Sequence, residues 1–221
     1  MTEEKRITGV RRILQALALL LFLVVLPLGS WFYLRNGLDY RKKALEELGE
    51  HGTIPPFELP TYKRDTLSRE QLEGKLVVAS FIDFSDEEQT RRTGAYLNKL
   101  HEQFDERPDL LFLQHVLNVP GTDRIHSFEL QHRLNDQDQC LFLISEGGDM
   151  EKRVRRLYSM PVTDAAAPLN TQLVLADTTL TIRRYYDLRE EQQIKRMVEH
   201  IAIILPRIEE KDLVFQREIE K

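Results

Sequence analysis

This 221-residue chain has one cysteine and six histidines, and their spacing forms no familiar active site. The single cysteine, Cys140, begins an apolar stretch with no basic neighbour to lower its thiol pKa, so it is interpreted as a small buried residue. His115 is interpreted as a core or surface histidine. His126 and His132 are six positions apart, on different helical faces, which argues against a preformed metal pair. With no Ser/His/Asp arrangement and no phosphate-binding loop, the sequence predicts no catalytic residues.

An acidic run offers the other candidate site. Asp86, Glu87 and Glu88 are consecutive, and their carboxylates, with the amide of Asn170, could bind a hard cation through oxygen ligands. The same positions are also explained as the first turn of a helix, where the helix dipole favours negative charge. Asp83, just before them, is interpreted as a polar contact at the edge of the core. Both interpretations of the acidic run stay open here.

The acidic run lies where a predicted strand meets a predicted helix. Residues 76–82, LVVASFI, are predicted to form a buried central strand. Ser85 is the predicted N-cap of the next helix, and Glu88 completes a capping box. Backbone N–H groups point outward at such a corner, which makes it a common place for chemistry. This corner holds no cysteine, no histidine and no glycine-rich loop. The helix places apolar residues on one face: Tyr96, Leu97, Leu100 and Phe104.

The N-terminal region has the composition of a membrane anchor. Residues 13–34 include no charged side chain and only one strongly polar one, Gln15, and a spanning helix needs about 20 apolar residues. The aromatic residues Trp31, Phe32 and Tyr33 close the run, as in an interfacial belt. The run is longer than a signal-peptide core and no A-x-A-like site follows, so an uncleaved single-pass anchor is predicted. Basic residues flank both ends equally, so charge does not decide orientation.

The composition excludes some partners. The formal net charge is −5, and residues 1–35 hold five of the 31 basic residues but only two of the 36 acidic ones, so the remainder is more acidic still. An acidic domain without a basic cluster argues against nucleic-acid binding and gives no attraction to anionic lipid. The predicted organisation is a tail (1–12), the anchor (13–34), a juxtamembrane linker with a short helix near 40–48 (35–52), one folded domain (53–206) and a charged tail (207–221).

The folded domain alternates predicted strands and helices. A small hairpin near Phe57 is followed by elements in the order β, α, β, α, β, α, β, β, α. Strands that alternate with helices predict parallel strand pairs. The last two strands, 172–176 and 180–186, predict an antiparallel hairpin, covered by a helix over 190–205. This is the layout of an α/β thioredoxin-like fold with an N-terminal hairpin and an insertion, preceded by one transmembrane helix.

Four stretches, in this order, resemble the Sco/SenC family, membrane-anchored thioredoxin-fold proteins tied to copper delivery to cytochrome c oxidase. They are TIPPFELPTY at the domain entry, LEGKLVVASF into the central strand, LLFLQHVLNVPGTD in the second strand and its turn, and LNTQLVLADTTLTIRRYYD in the closing hairpin. The resemblance covers residues 53–205 and the anchor. Each stretch is short, and their order and spacing carry the resemblance.

The resemblance also implies which groups are missing. Family members carry a Cys-x-x-x-Cys pair after the central strand and a histidine before the closing hairpin. These positions fall on Asp86, Thr90 and Asn170. Two thiolates and an imidazole suit copper, whereas a carboxylate, a hydroxyl and an amide do not. The resemblance therefore implies a degenerate member without the copper site, without a cofactor and without thiol–disulfide exchange.

The function that the resemblance implies is exerted through protein contacts. It predicts a membrane-anchored, redox-inactive, non-enzymatic protein that assembles or supports a respiratory oxidase through a protein partner. It places the C-terminal domain on the periplasmic or outer side of the inner (cell) membrane. The alternative hypothesis is a metal carrier or thiol enzyme that uses Cys140 or the acidic corner Asp86/Glu87/Glu88.

Overall fold

The chain divides into two compact units after Glu47. The structure, a computed structural model, describes residues 2–118, 121–144, 149–161 and 167–205. The first unit is one helix, α1 (Thr2–Glu46), with an 18-residue window of mean hydropathy 2.3, long and apolar enough to cross a membrane. This helix is continuous, so the separate short helix predicted near 40–48 was wrong. The predicted charged tail, 207–221, lies outside the described residues.

The second unit contains a small hairpin, a larger sheet and the helices that cover it. Its elements follow the predicted order, and the thioredoxin-like layout is confirmed. In chain order they are β1 (Glu58–Pro60), β2 (Thr66–Ser68), β3 (Leu76–Ile82), α2 (Glu87–Phe104), β4 (Leu110–Val116), α3 (Thr122–Gln131), β5 (Cys140–Leu143), α4 (Met150–Leu157), β6 (Gln172–Ala176), β7 (Ile182–Asp187) and α5 (Glu191–Ile204).

The larger sheet has five strands in the order β5-β4-β3-β6-β7. β3 pairs parallel with β4, and β4 pairs parallel with β5. On its other side β3 pairs antiparallel with β6, which pairs antiparallel with β7. β3 is therefore central. Its carboxyl end leads directly into α2, and the chain segment before β6 approaches the same corner.

The core has two parts because β3 is buried on both faces. Val78 and Ile82 point into one cluster, which also holds apolar side chains of α2, α3 and α5. Val77 and Phe81 point into the other, which holds those of α4 and of the small hairpin. Alternate residues of a strand face opposite sides of a sheet, so a strand without polar alternation, such as this one, must be covered twice.

Both edges of the larger sheet are covered in part by irregular chain. Beside β5, the Tyr62 amide donates to the Phe142 carbonyl at 3.1 Å, and the Ile144 amide donates to the Pro60 carbonyl at 2.9 Å. Residues 49–52 bond to the start of β7 in the same way. Covered edges resist pairing with another chain. The small hairpin near Phe57, predicted from the sequence, thus caps the β5 edge.

The closing hairpin begins later than its sequence pattern indicates. β7 was predicted to begin at Leu180 but begins at Ile182, because Leu180 has a backbone φ of +62°, which is outside the strand region. The Asp177 carboxylate organises the turn by accepting hydrogen bonds from the amides of Thr179 and Thr181, at 2.9 and 3.0 Å. An aspartate that bonds amides two and four residues later builds a turn by itself.

Candidate functional site

The corner between β3 and α2 is held by hydrogen bonds of its own residues. The Asp83 carboxylate accepts from the Ser85 amide at 2.9 Å, and the Asp86 carboxylate accepts from the Gln89 amide at 3.1 Å. Asp86 is therefore the N-cap of α2. The predicted N-cap, Ser85, and its capping box with Glu88 were wrong, because the Ser85 amide is already bonded to Asp83.

The three positions that the resemblance aligns with metal ligands lie together at this corner. The Asn170 side-chain amide donates to the Asp86 carboxylate at 3.1 Å. Thr90 lies one turn along α2, where its amide donates to the Asp86 carbonyl at 2.9 Å. The segment before β6 is also tied to α2 by the Gln89 side chain, which donates to the Asn170 carbonyl at 3.2 Å. The chain thus brings Asp86, Thr90 and Asn170 to one place.

The side-chain groups of these residues are already used in hydrogen bonds. The Thr90 hydroxyl donates to the Asp83 carbonyl at 2.7 Å, and Thr90 is only 8% exposed. The Asp86 carboxylate caps α2 and accepts from Asn170. Copper(I) prefers soft thiolate, thioether or imidazole ligands, and this set offers one carboxylate and two neutral groups. The residues present do not fit copper.

The neighbouring acidic residues make other contacts or face solvent. The Glu87 side chain is 86% exposed and pairs with Arg124 at 3.5 Å. Asp86 is occupied as the cap. Within the described residues, no group of three or more His, Cys, Asp and Glu side chains is arranged around a possible metal position. The arrangement favours the helix-dipole interpretation of the acidic run.

Cys140 is a buried residue at the start of β5. It is 2% exposed and unbonded to another cysteine. Burial, followed by the nearby carboxylates of Asp136 and Glu129, raises the pKa of its thiol to about 12. A thiol reacts as its thiolate, and at neutral pH almost none of this residue is in that form. The geometry agrees with the interpretation as a small core residue.

The three histidines lie in separate environments. His115 is fully buried within β4, where its Nε2 is 2.7 Å from the Tyr158 hydroxyl, and burial lowers its pKa to about 3. His126 is largely exposed, with Nδ1 3.4 Å from the Glu129 carboxylate. His132 packs its ring on Phe128, with centroids 4.6 Å apart. The rings of His126 and His132 thus contact different neighbours.

Comparison with known proteins rests on solved structures. No family model and no curated protein matches the chain. Two similar structures, each with a TM-score of 0.54, are a SCO1/SenC family lipoprotein from Bacillus anthracis str. Ames, at 14% identity, and BsSco, a member of the Sco family of cytochrome c oxidase assembly proteins, at 15%. In each case the match covers 70% of this chain and 95% of the other. A thiol-disulfide oxidoreductase from Bacteroides fragilis NCTC 9343 matches with a TM-score of 0.50 at 15% identity, over 68% and 99% of the two chains.

The fold is thioredoxin-like. Its structural neighbours include SCO1/SenC family proteins, in agreement with the resemblance seen in the sequence. At these identities the likeness establishes the arrangement of strands and helices, and the chemistry must be argued from the side chains present. In this thioredoxin-like domain the polar side chains at the corner hydrogen-bond to one another and to nearby backbone groups.

One residue that shapes the corner was missed by the sequence reasoning. Asn118 follows β4, and its side chain accepts from the Phe84 amide at 3.0 Å and donates to the Asp83 carboxylate and the Ser85 hydroxyl. The carboxyl ends of parallel strands meet at the same sheet edge, so a polar residue after β4 was a usable signal. Asn118 thus clamps the turn that leads into α2.

Proposed function

We propose that this protein is a membrane-anchored, degenerate Sco-like protein that acts by protein contacts in the assembly or support of a respiratory oxidase, without metal or redox chemistry of its own. The anchor, the thioredoxin-like fold and the four family-like stretches support the Sco part of the proposal. BsSco, one of the similar structures, is a member of a family of cytochrome c oxidase assembly proteins. The oxidase part follows from that likeness.

The hydrogen bond between Asn170 and Asp86 carries the proposal. It joins two of the three positions where the family holds its ligands. The third residue, Thr90, donates a hydrogen bond from its hydroxyl to a backbone carbonyl. The described residues of the corner thus lie together around the cap of α2, and they offer no thiol or imidazole there. A domain with this fold at a membrane, without the thiols and the imidazole of the family's metal site, is suited to binding another protein.

A cross-linking experiment tests the proposed partner. A photoreactive residue replaces Glu87, which is exposed beside the corner, or Lys195, which is also largely exposed, on α5, and serves as the control. The full-length protein is irradiated in its native membranes, and the adducts are identified by mass spectrometry. We expect oxidase subunits or oxidase assembly factors from position 87 and few from 195. Adducts that include no respiratory component from either position would refute the partner assignment.

The alternative of a thiol enzyme or metal carrier has little support at the residue level. Cys140 is buried and its thiol pKa is raised, and Asp86 in the acidic corner is already engaged as a helix cap. A reactive thiol would need exposure and a lowered pKa. We therefore infer that neither Cys140 nor the acidic corner is the working site.

We place the folded domain on the periplasmic or outer side of the inner membrane. This placement follows from the Sco likeness, because the basic residues on the two sides of the anchor balance. A phosphatase reporter that is active only after export, fused to the C-terminus, is expected to be active. Activity of a cytoplasmic reporter fused at the same point would reverse the placement.

A further inference from the structure

A cleft of about 520 Å³ lies between α2 and α3, beside the corner described above. Its apolar lining includes Phe84 and Phe128, each 5% exposed, whose rings meet edge to face with centroids 5.7 Å apart. Thr90 lines both the corner and the cleft, so the two features are continuous. The volume is in the range of sites that bind a few side chains or a small molecule.

Two arginines bring positive charge to this apolar lining. The guanidinium carbon of Arg124 lies over the Phe84 ring, 5.6 Å from its centroid. Its hydrogen bonds, to the Phe84 carbonyl at 3.3 Å and to Glu87 at 3.5 Å, are at the long limit for such contacts. Arg91 is exposed at the cleft and forms no ion pair within the described residues. Both guanidinium groups therefore keep N–H groups that could donate hydrogen bonds to an anion.

A buried histidine adds a further donor. His132 is 9% exposed and lines the cleft, and its ring nitrogens have no hydrogen-bond partner in the described part of the chain. It fits there because residue 94 is glycine: a Cβ on Gly94 would lie 2.4 Å from the His132 ring. Burial and the charge of Arg91 lower the pKa of His132, so the ring is neutral at pH 7 and offers one N–H. Its ring nitrogens are not among the fully buried side-chain atoms without a partner, so a ligand in the cleft can reach the ring N–H.

Two carboxylates also line the cleft, and they limit what it can bind. Glu87 and Glu88 lie in the first turn of α2, where the helix dipole stabilises them. Glu87 is 86% exposed, so water screens its charge strongly. The Arg124 side chain is less exposed, at 51%, and lies over the buried Phe84 ring. Arg124 therefore acts closer to the apolar lining than Glu87 does.

We propose that the α2–α3 cleft binds an acidic side chain of a partner polypeptide, with an adjacent aromatic or leucine side chain on Phe84 and Phe128. The charge argument is local: Arg91, Arg124 and His132 bring donors to the lining of one cleft in a chain whose net charge is −5, and the two glutamates of that lining, Glu87 and Glu88, are exposed. A carboxylate accepts from guanidinium and imidazole donors at once. The choice of a polypeptide rests on the proposed function, in which the domain works by protein contacts.

The test selects peptides against the full-length protein in nanodiscs, from a phage-displayed library of random seven-residue peptides. We expect enrichment of sequences with Asp or Glu next to Phe, Tyr, Trp or Leu. The enriched peptides are then synthesised and titrated against variants. Arg91→Gln and Arg124→Gln should each weaken binding about tenfold, because each removes a charge-assisted hydrogen bond. His132→Phe keeps the packing on Phe128, removes the N–H and should weaken binding about threefold or more.

Arg92→Gln is the matched control. Arg92 lies on the same helix, is exposed, and has its guanidinium over the Tyr96 ring instead of in the cleft. This variant loses the same charge and should bind the peptides as the native protein does. Equal weakening of peptide binding by Arg92→Gln and Arg91→Gln would show that binding depends only on overall charge, and it would overturn the proposal.

Other outcomes also overturn it. One is the enrichment of peptides without acidic residues, and another is no enrichment over empty nanodiscs. A third is competition by free succinate at the same concentration as the peptide, which would show that the cleft binds small acids. The selection uses no copper and no oxidase. A failed selection with the expected oxidase cross-links from position 87 would therefore remove the cleft and leave the proposed function standing.

Discussion

Replacing Asp86 with alanine removes three stabilising contributions at one residue. The carboxylate caps α2 through the Gln89 amide, it places negative charge at the helix N-terminus, and it accepts from Asn170. A lost N-cap costs about 1 kcal/mol, the lost charge about 0.5 kcal/mol, and an exposed hydrogen bond to a carboxylate about 0.5 kcal/mol. We therefore expect Asp86→Ala to lower the free energy of unfolding by about 2 kcal/mol.

Two matched variants separate these contributions. Asp86→Asn keeps an N-cap acceptor but loses the charge and, because its one amide oxygen is used by the cap, also the bond from Asn170, so it should cost about 1 kcal/mol. Asn170→Ala leaves the cap intact and removes the contact with the carboxylate, so it should also cost about 0.5 kcal/mol. The measurement is urea unfolding of the soluble fragment from residue 36 onward, with the free energy taken from midpoint and slope.

The predicted order of stability is native, then Asn170→Ala, then Asp86→Asn, then Asp86→Ala. The slope should stay unchanged, since none of the substitutions alters the surface exposed on unfolding. If Asp86→Ala and Asp86→Asn are equally destabilised, the cap is not at Asp86 and the description of the corner is wrong. A stabilised Asp86→Ala would show that the acidic run is under electrostatic strain, as expected for a cation site and not for a cap.

Three further predictions concern other parts of the fold. Cys140, buried and with a raised thiol pKa, should resist alkylation at pH 8 in the folded protein and react at once in urea; rapid labelling of the native protein would restore the thiol hypothesis. The Arg107 guanidinium holds the pKa of Asp109 below its ordinary value. This pair should therefore stabilise the domain above about pH 4 and lose its effect as the pH falls. Asp109→Asn should then be less stable than the native domain at pH 7, and the difference should shrink as the pH falls below about 4; a constant difference at all pH values would contradict this. The soluble fragment that begins near Asn36 should fold as a monomer, because both core clusters draw on residues after Glu47; recovery only as aggregate would count against it.

The fold could be predicted because its signals are local. The run 76–82 is apolar on both faces, and β3 spans the same residues, Leu76–Ile82. The apolar spacing of α2 and α5 predicts the faces that these helices bury: Leu97, Leu100, Phe104, Ile194, Met197 and Ile201 are buried. Such periodicity depends only on neighbours along the chain. The order of these elements then limits the topology to few choices.

The details of the corner could not be predicted because they depend on distant residues. Ser85 has the right type for an N-cap, but Asn118, at the end of β4, bonds its hydroxyl, and the Asp83 carboxylate takes its amide. The cleft likewise depends on His132 meeting Gly94, 38 positions away in the sequence and adjacent in space. Spacing along one helix does not reveal such a contact.

The central claim is that three residues, and not a lost fold, remove copper chemistry from this corner. The backbone already brings the positions together, since Asn170 bonds to the Asp86 carboxylate and the Thr90 amide bonds to the Asp86 carbonyl. The most direct test is an anaerobic competition titration with a Cu(I) chelator, on the native protein and on Asp86→Cys/Thr90→Cys/Asn170→His. We predict no copper above background for the native protein and about one equivalent for the variant, which supplies two thiolates and an imidazole. Stoichiometric copper on the native protein, or a folded variant that stays copper-free, would contradict the claim.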